Sequence, residues 1–443
     1  MGNRFSLPGK GKDKKELLSR LEAYKKDDID WKGGRSWSLV YYAGDEHAEF
    51  VKRAYNLYMS ENGAGPTMFP SLRRLESEVI AAVLDLLGGH DTEVGCMTSG
   101  GTESILLAMR AYREQARVNN PENTQPEVLL PESAHPAILK AAGYFGITPV
   151  YIPLDADYRA DTGKIEGLIT SRTICMVASA PSFPHGVVDP IRQMGELAQE
   201  HGIGLHVDAC LGSFVLPFLK KSGRTVPGFD FEVPGVTSIS ADLHKNGYAA
   251  KGASVILYRS TSLMRHQFFV DVEWPGGIYA SPTMQGTRAG GAIAAAWASL
   301  MALGESGYLK LAKRAVEVTD ALVQGISSIE GLHVLGEPDM NVIAFTSETL
   351  NILSVGERLD NMGWRVNRIN NPPALHLIAT PNHAQVVSSF IADLEKACAA
   401  ELSDPIPLPA ERAVLYGGTE AHMGVGEQRE QALSRLENLF KLG

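Results

Sequence analysis

Ser238-Ile239-Ser240-Ala241-Asp242-Leu243-His244-Lys245-Asn246-Gly247-Tyr248 is the stretch that decides the fold. It starts as a short apolar run and turns polar at a histidine followed directly by a lysine, the pattern of a strand running into a loop. Upstream, Leu205-His206-Val207-Asp208-Ala209-Cys210 has the same form, with an aspartate at the strand end. An aspartate and a lysine delivered by two strand ends are what pyridoxal phosphate requires. The lysine forms an imine with the aldehyde, and the carboxylate keeps the ring nitrogen protonated. Taken singly, such a lysine is ordinarily a solvated surface residue and such an aspartate a turn or helix cap. The reading therefore rests on what stands around them.

Outward from this pair, residues 94–260 alternate strand-like and helix-like segments. The spacing predicts strands at 94–98, 127–131, 148–153, 173–180, 203–209, 236–241 and 253–258, each rich in Val, Ile or Leu and bounded by Gly, Pro or Asp. Helices are predicted at 102–117, 134–145 and 189–201. This alternation implies an α/β fold with a mostly parallel seven-stranded sheet covered by helices. The ligand then belongs at the carboxyl ends of the strands. Two further strand ends carry candidate groups. Thr98-Ser99-Gly100-Gly101-Thr102-Glu103-Ser104 opens a helix, and its free N–H groups and two glycines make a phosphate cradle. Pro131-Glu132-Ser133-Ala134-His135-Pro136 places a histidine where its ring can stack on a flat cofactor. His244 is placed to donate to a phosphate, and Ser240 lies beside the imine. The absence of G-x-x-x-x-G-K-[ST] argues against a nucleotide P-loop.

Residues 1–60 read as an N-terminal helical arm, 61–325 as a large cofactor-binding domain, and 326–443 as a small C-terminal α/β domain. Long helices are expected over 288–326. In the small domain, strands are expected at 332–335, 341–346 and 374–379, with helices at 351–362 and 382–400. A proline-bearing tail from 405 ends in a helix. The 443 residues are 44% hydrophobic and 21% charged, an ordinary globular composition, and the net charge of −10 argues against nonspecific nucleic-acid binding. Four widely spaced cysteines without a C-x-x-C pair suggest neither a metal site nor a disulfide framework, and they fit a reducing, cytoplasmic setting. The longest apolar stretch, Ala292 to Leu303, is too short for a transmembrane segment.

With these motifs in place, the chain resembles the sphingosine-1-phosphate lyases, of the soluble bacterial type. They belong to the group II decarboxylase family of fold-type I pyridoxal phosphate enzymes. The resemblance is carried by Thr98–Ser104, Ser133–Pro136, Phe183-Pro184-His185-Gly186-Val187-Val188-Asp189-Pro190, His206–Cys210, Ser238–Tyr248, Gln267–Asp271 and Gly276–Thr283. It implies that Lys245 is the Schiff-base lysine, that Asp208 pairs with the ring nitrogen, and that His135 stacks on the ring. Gly101, Thr102 and His244 would bind the cofactor phosphate. Gly286 and Thr287 would reach the cofactor phosphate of the neighbouring subunit of a homodimer with shared active sites. Tyr42, Lys251 and Asn62 would serve the substrate phosphate, and Tyr279 would assist proton transfer. The implied reaction is retro-aldol cleavage of a phosphorylated amino-alcohol lipid to a long-chain aldehyde and phosphoethanolamine. One position departs from the family: in Asn62-Gly63-Ala64-Gly65-Pro66-Thr67-Met68-Phe69-Pro70, Gly65 stands where a histidine is expected. The same lysine and aspartate also serve an amino-acid decarboxylase of this family, and a non-catalytic protein on a degenerate version of the fold is the third reading.

Overall fold

The computed structural model describes residues 6–65, 67–405 and 425–440. Seven strands form the main sheet: β1 (Val94–Thr98), β2 (Glu127–Pro131), β3 (Thr148–Ile152), β4 (Thr173–Ser179), β5 (Gly204–Asp208), β6 (Ser238–Ala241) and β7 (Ser254–Tyr258). Their order is β1-β7-β6-β5-β4-β2-β3. Only β7 runs against the others, antiparallel to both β1 and β6. The runs are apolar throughout because both faces are covered. Along β2 and β4, Val128, Leu130, Cys175 and Val177 turn to one core, while Leu129, Met176 and Ala178 turn to the other. At the edge, β3 leaves Thr148 and Tyr151 exposed, as a strand with one free side allows.

One face is covered by α4 (Gly101–Asn119) and α5 (Ala137–Phe145), the other by α3 (Pro70–Leu86), α7 (Ile191–Glu200), α8 (Leu216–Lys221) and the start of α10 (Gly290–Ser327). The short helices α6 (Thr162–Ile165) and α9 (Thr261–Met264) lie in connections. Helix α10 is two helices meeting at Gly304, whose left-handed backbone (φ 55°) breaks the regular turn. A two-stranded hairpin, β8 (Phe269–Asp271) with β9 (Tyr279–Ser281), precedes α10.

A second sheet follows: β10 (Leu332–Val334), β11 (Val342–Ser347), β12 (Asn367–Asn370) and β13 (Pro373–Ile378), in the order β10-β11-β13-β12 and antiparallel throughout. It packs with α11 (Ile352–Asn361), α12 (Val387–Ser403) and the last turns of α10 around a separate core. The N-terminal segment joins this second core. Ser36 bridges Arg365 in parallel, and Trp37, fully buried, stacks on His383 at 4.1 Å and packs against Phe390. The arm is therefore helical only in part: α1 (Lys14–Tyr24) and α2 (Asp45–Leu57) flank an irregular stretch that clamps the small unit. Of the expected tail, α13 (Val425–Phe440) is present, while the proline-bearing stretch 406–424 lies outside the described residues. Among the described residues no helix is long and apolar enough to cross a membrane.

Candidate active site

Because β1, β2, β4, β5 and β6 are parallel, their carboxyl ends share one edge of the sheet, and each contributes to one cluster. Lys245 sits in the loop after β6, which coils tightly. His244 N donates to Ala253 O (3.0 Å), Tyr248 N to Lys245 O (2.9 Å) and Ala249 N to Leu243 O (3.0 Å). A Cβ on Gly247 would lie 2.5 Å from Leu243 O, so only glycine allows this coil. The loop is fastened from outside. Ser299 Oγ and Tyr308 OH of α10 both donate to Gly247 O at 2.8 Å, and Asn246 Nδ2 donates to Leu211 O at 2.9 Å. Tyr248 adopts φ 55°, a strained backbone for a non-glycine residue.

Lys245 Nζ lies 3.0 Å from Asp242 Oδ2. Asp242 is 1% exposed, and its other oxygen accepts from Ser254 Oγ. Burial alone would raise the Asp242 pKa, but the charges of Lys245 and His244, with the bonds from Ser254 and Lys245, hold it below the usual carboxylate value. For Lys245, burial pulls downward, and Asp242, then Cys210, Tyr41 and Asp208, overcome it and keep the ammonium well above its ordinary range.

Asp208 ends β5. Its Oδ1 accepts from Cys210 N (3.1 Å) and Ser240 Oγ (3.3 Å). Behind it runs a buried chain: Ser240 Oγ to His206 Nε2 (3.4 Å), His206 Nδ1 to Ser238 Oγ (2.8 Å), and Ser238 Oγ to Tyr112 OH (2.6 Å). Burial pushes the His206 pKa down to about 4, so this imidazole is neutral at pH 7. Cys210 beside them is pushed well up by burial and by Asp208 and Asp242, and remains a thiol.

The expected cradle is at the start of α4. A Cβ on Gly101 would lie 2.6 Å from Cys210 Sγ and 2.9 Å from Asp242 Oδ1, so the backbone approaches the cluster as only glycine permits. His244 faces the cradle, its Cε1 3.5 Å from where a Gly100 Cβ would stand, and its buried Nδ1 has no partner among the described residues. An unpartnered ring nitrogen beside the free N–H groups of a helix start fits a phosphate ester. Thr102 is the second residue of α4 and is exposed. Glu103 fixes the loop, accepting from Ser99 N (2.6 Å) and Ser99 Oγ (2.7 Å). The residues present thus fit pyridoxal phosphate: a cradle, a lysine and an aligned carboxylate on one sheet edge.

Two cavities open on this cluster. One, of about 150 Å³, is lined by Lys245, His244, Lys251, Tyr41, Phe183 and Asn367, among others. The other, of about 320 Å³, is lined by His135, Phe183, His185 and the strand from Asn367. His135 Nδ1 accepts from Ala137 N (3.2 Å), and burial lowers its pKa. Lys251 Nζ donates to Leu39 O (3.0 Å) and His244 O (3.2 Å) and lies 5.1 Å from the Tyr41 ring centre. Burial first, then the charge of Lys245, lowers its pKa.

Beyond the cluster itself, five expected residues line neither cavity. Tyr42 turns away, edge-on to Trp31 at 5.5 Å and under Lys32, because neighbouring residues of the extended segment point to opposite sides. Tyr41 takes the place in the cavity. Tyr279 packs with Phe269 and Trp274 on the hairpin, and Gly286 and Thr287 are exposed in the loop beyond it. Asn62 also lines neither cavity. Its Oδ1 accepts from Ala64 N (2.9 Å) and Arg288 N (3.0 Å), which pins a turn against α10. The sequence reading missed Tyr41 and Asp242. The second had a signal, an aspartate three residues before the lysine in a coiled loop.

Residues 57–348 match the family described as the pyridoxal-dependent decarboxylase conserved domain. The chain is 41% identical to a sphingosine-1-phosphate lyase of Arabidopsis thaliana over 433 residues, covering 96% of this chain and 79% of the relative. A sphingosine-1-phosphate lyase of Burkholderia pseudomallei superposes with a TM-score of 0.90 at 35% identity, over 100% of this chain and 98% of the other. A glutamate decarboxylase of Lactobacillus brevis shares the fold, with a TM-score of 0.78 at 17% identity over 90% and 95% of the two chains. Fold, cluster and these likenesses agree that the chain belongs to the sphingosine-1-phosphate lyase family, within the pyridoxal-dependent decarboxylases.

Proposed function

We propose that the chain is a pyridoxal-phosphate-dependent lyase that cleaves the carbon–carbon bond of a phosphorylated sphingoid base in a retro-aldol sense, releasing a long-chain aldehyde and phosphoethanolamine. The observation that carries this reading is Lys251 in the same cavity as Lys245. The cradle at Gly101 and His244 accounts for one phosphate, and a second cation beside the first suits a substrate with a phosphate of its own.

Bound in this cluster, pyridoxal phosphate supplies the sink for the electron pair left when the bond breaks. The chain's own residues orient and charge the site. Asp208, aimed by Cys210 N and Ser240 Oγ, presents a carboxylate for the ring nitrogen. Gly101, Thr102 and His244 take the cofactor phosphate, and His135 offers its flat ring. Lys251 exchanges the carbonyls of Leu39 and His244 for the substrate phosphate, with Tyr41 as its neighbour. Lys245 Nζ, once free, holds a proton within reach of the substrate carbon.

We assign Tyr279, Gly286 and Thr287 to the site of a second copy in a cytoplasmic homodimer. In support, the hairpin leaves Phe269, Val270, Trp274, Ile278 and Tyr279 at 40–75% exposure, an apolar patch that a partner would cover. All four cysteines are unpaired and buried, as suits a reducing compartment. A monomer at micromolar concentration in sedimentation would overturn the dimer. Two sheets with separate cores support a division into an arm, a cofactor-binding unit from 61 and a small unit from 326.

Amino-acid decarboxylation is the second reading. Gly65 favours it, because a Cβ there would meet Met68, Asn62 and Phe69 only at 3.6–3.8 Å, so space does not exclude the missing histidine. Lys251→Ala tests the phosphate assignment. The KM for a phosphorylated sphingoid base should rise about tenfold to a hundredfold, the loss of one charged hydrogen bond. Borohydride trapping of the cofactor on Lys245 should be unchanged, and equal loss of both would contradict the assignment.

A further inference from the structure

Asp242 has no place in the reaction as described, yet it forms an ion pair with the reacting nitrogen. One oxygen accepts from Ser254 Oγ; the other faces Lys245 Nζ at 3.0 Å and His244 Nε2 at 3.7 Å. The carboxylate is 1% exposed and is walled by Gly101, whose Cβ position lies 2.9 and 3.0 Å from its two oxygens. It cannot turn to solvent, and its charge is answered by the Lys245 ammonium of its own loop, since burial lowers the His244 pKa.

We propose that Asp242 is a positioning residue for the Schiff-base lysine: a buried counter-ion that draws Lys245 back as an ammonium whenever the lysine is not bonded to cofactor. The inference rests on the assignment of Lys245 to pyridoxal phosphate and goes beyond it. Asp242 thereby sets the pH at which the chain captures the cofactor. Capture needs the nitrogen lone pair: a proton leaves the ammonium for solvent, the nitrogen bonds to the aldehyde carbon, and the aldehyde oxygen leaves as water. A counter-ion at 3.0 Å opposes the first of these events and favours the return of the proton when the bond to the cofactor is exchanged.

Other titratable groups face the same nitrogen. Asp208 approaches from the end of β5, Cys210 from the loop after it, and Tyr41 from the N-terminal segment. His135, after β2, and Lys251, before β7, are coupled to it as well. Asp208 acts in the same direction as Asp242 but follows it in strength, and Lys251 opposes both. Burial of the lysine opposes the ammonium too, so the carboxylate decides the balance.

The test uses the cofactor-free full chain. Competitive acetylation of Lys245 across pH, read by peptide mass spectrometry, should give a midpoint above that of an ordinary lysine, near 10.5. In Asp242→Asn the midpoint should fall by a pH unit or more, and capture of added pyridoxal phosphate near pH 7 should quicken about tenfold, as one unit of amine pKa implies. Asp242→Glu should restore most of the wild-type midpoint. A wild-type Lys245 that acetylates as a neutral amine near pH 7 would overturn the proposal without any variant having to fold. So would an Asp242→Asn chain with an unchanged midpoint and capture rate. Failure of wild-type chain to capture pyridoxal phosphate at any pH would instead sink the cofactor assignment, leaving the acetylation midpoint to decide the role of Asp242.

Discussion

At the scale of single residues, the site depends on which of two adjacent side chains faces inward. Tyr41 and Tyr42 lie in an irregular stretch without periodicity, so which of them lines the cavity was not legible in the sequence, and the resemblance implied Tyr42 where Tyr41 lines it. Packing against Lys251 decides it: Tyr41 sits in the cavity with both lysines, while Tyr42 serves Trp31 and Lys32 at the surface. Tyr41→Phe should weaken turnover of a phosphorylated substrate by roughly three- to tenfold, the range of one hydrogen bond, while Tyr42→Phe should leave it within twofold. Steady-state kinetics on both variants checks this, and the reverse order would return the role to Tyr42. The placement of Lys245 and Asp208 was legible because it is local: Asp208 closes β5 and Lys245 lies in the loop just past β6, and a strand end needs few residues to recognise.

At the scale of elements, all seven strands of the main sheet were legible, because a doubly covered parallel sheet writes itself as short apolar runs between glycines and prolines. Elements outside that rhythm were not. Helix α3 is one of them, although Pro70 stands at its first position and Leu72, Val79, Ile80 and Val83 bury one face. Strand β12, Asn-Arg-Ile-Asn, carries one apolar residue and pairs only because β13 is beside it. The hairpin at 269–281 reads as a loop because its apolar residues are exposed. The start of α4 makes the element-scale prediction. Gly101→Ala would thrust a methyl group to 2.6 Å from Cys210 Sγ and into Asp242. Cofactor affinity should fall at least tenfold while the melting temperature of the cofactor-free chain shifts by no more than a few degrees. Fluorescence titration with pyridoxal phosphate measures the first, and wild-type affinity in the variant would show that the cradle lies elsewhere.

At the scale of the whole molecule, four buried histidines tie both units to pH. Burial pushes His185, His206, His376 and His383 from an ordinary value of 6.5 down to about 4. They join the N-terminal segment, the small sheet and the main sheet: His376 Nε2 meets Phe183 O at 2.8 Å, and His383 Nε2 meets Ser36 O at 2.9 Å. A folded value below the unfolded one means that stability is fully present above about pH 6.5 and is lost as pH falls towards 4, by on the order of 3 kcal/mol for each group. Asp189 works against this trend, since burial raises it from 3.8 to about 6, and its stabilising effect grows as pH falls. Asp230, also raised by burial, acts in the same direction, but two carboxyls are outnumbered by four imidazoles, so the melting temperature should drop steadily from pH 7 to pH 4.5. Differential scanning calorimetry across that range tests the balance, and a flat or rising profile would contradict it.

The whole molecule is also where the reaction is decided, because cofactor cradle, lysine, carboxylate and second cation come from strands and loops spread over most of the chain. The pairing of Lys245 with Lys251 in one cavity assigns carbon–carbon cleavage of a phosphorylated lipid over loss of carbon dioxide. The direct measurement is product analysis on the purified chain supplied with pyridoxal phosphate and, in parallel, a phosphorylated sphingoid base and a panel of free amino acids. Long-chain aldehyde and phosphoethanolamine should appear in equal amounts from the lipid, with no carbon dioxide from the amino acids. Carbon dioxide from an amino acid, with no aldehyde from the lipid, would contradict the assignment.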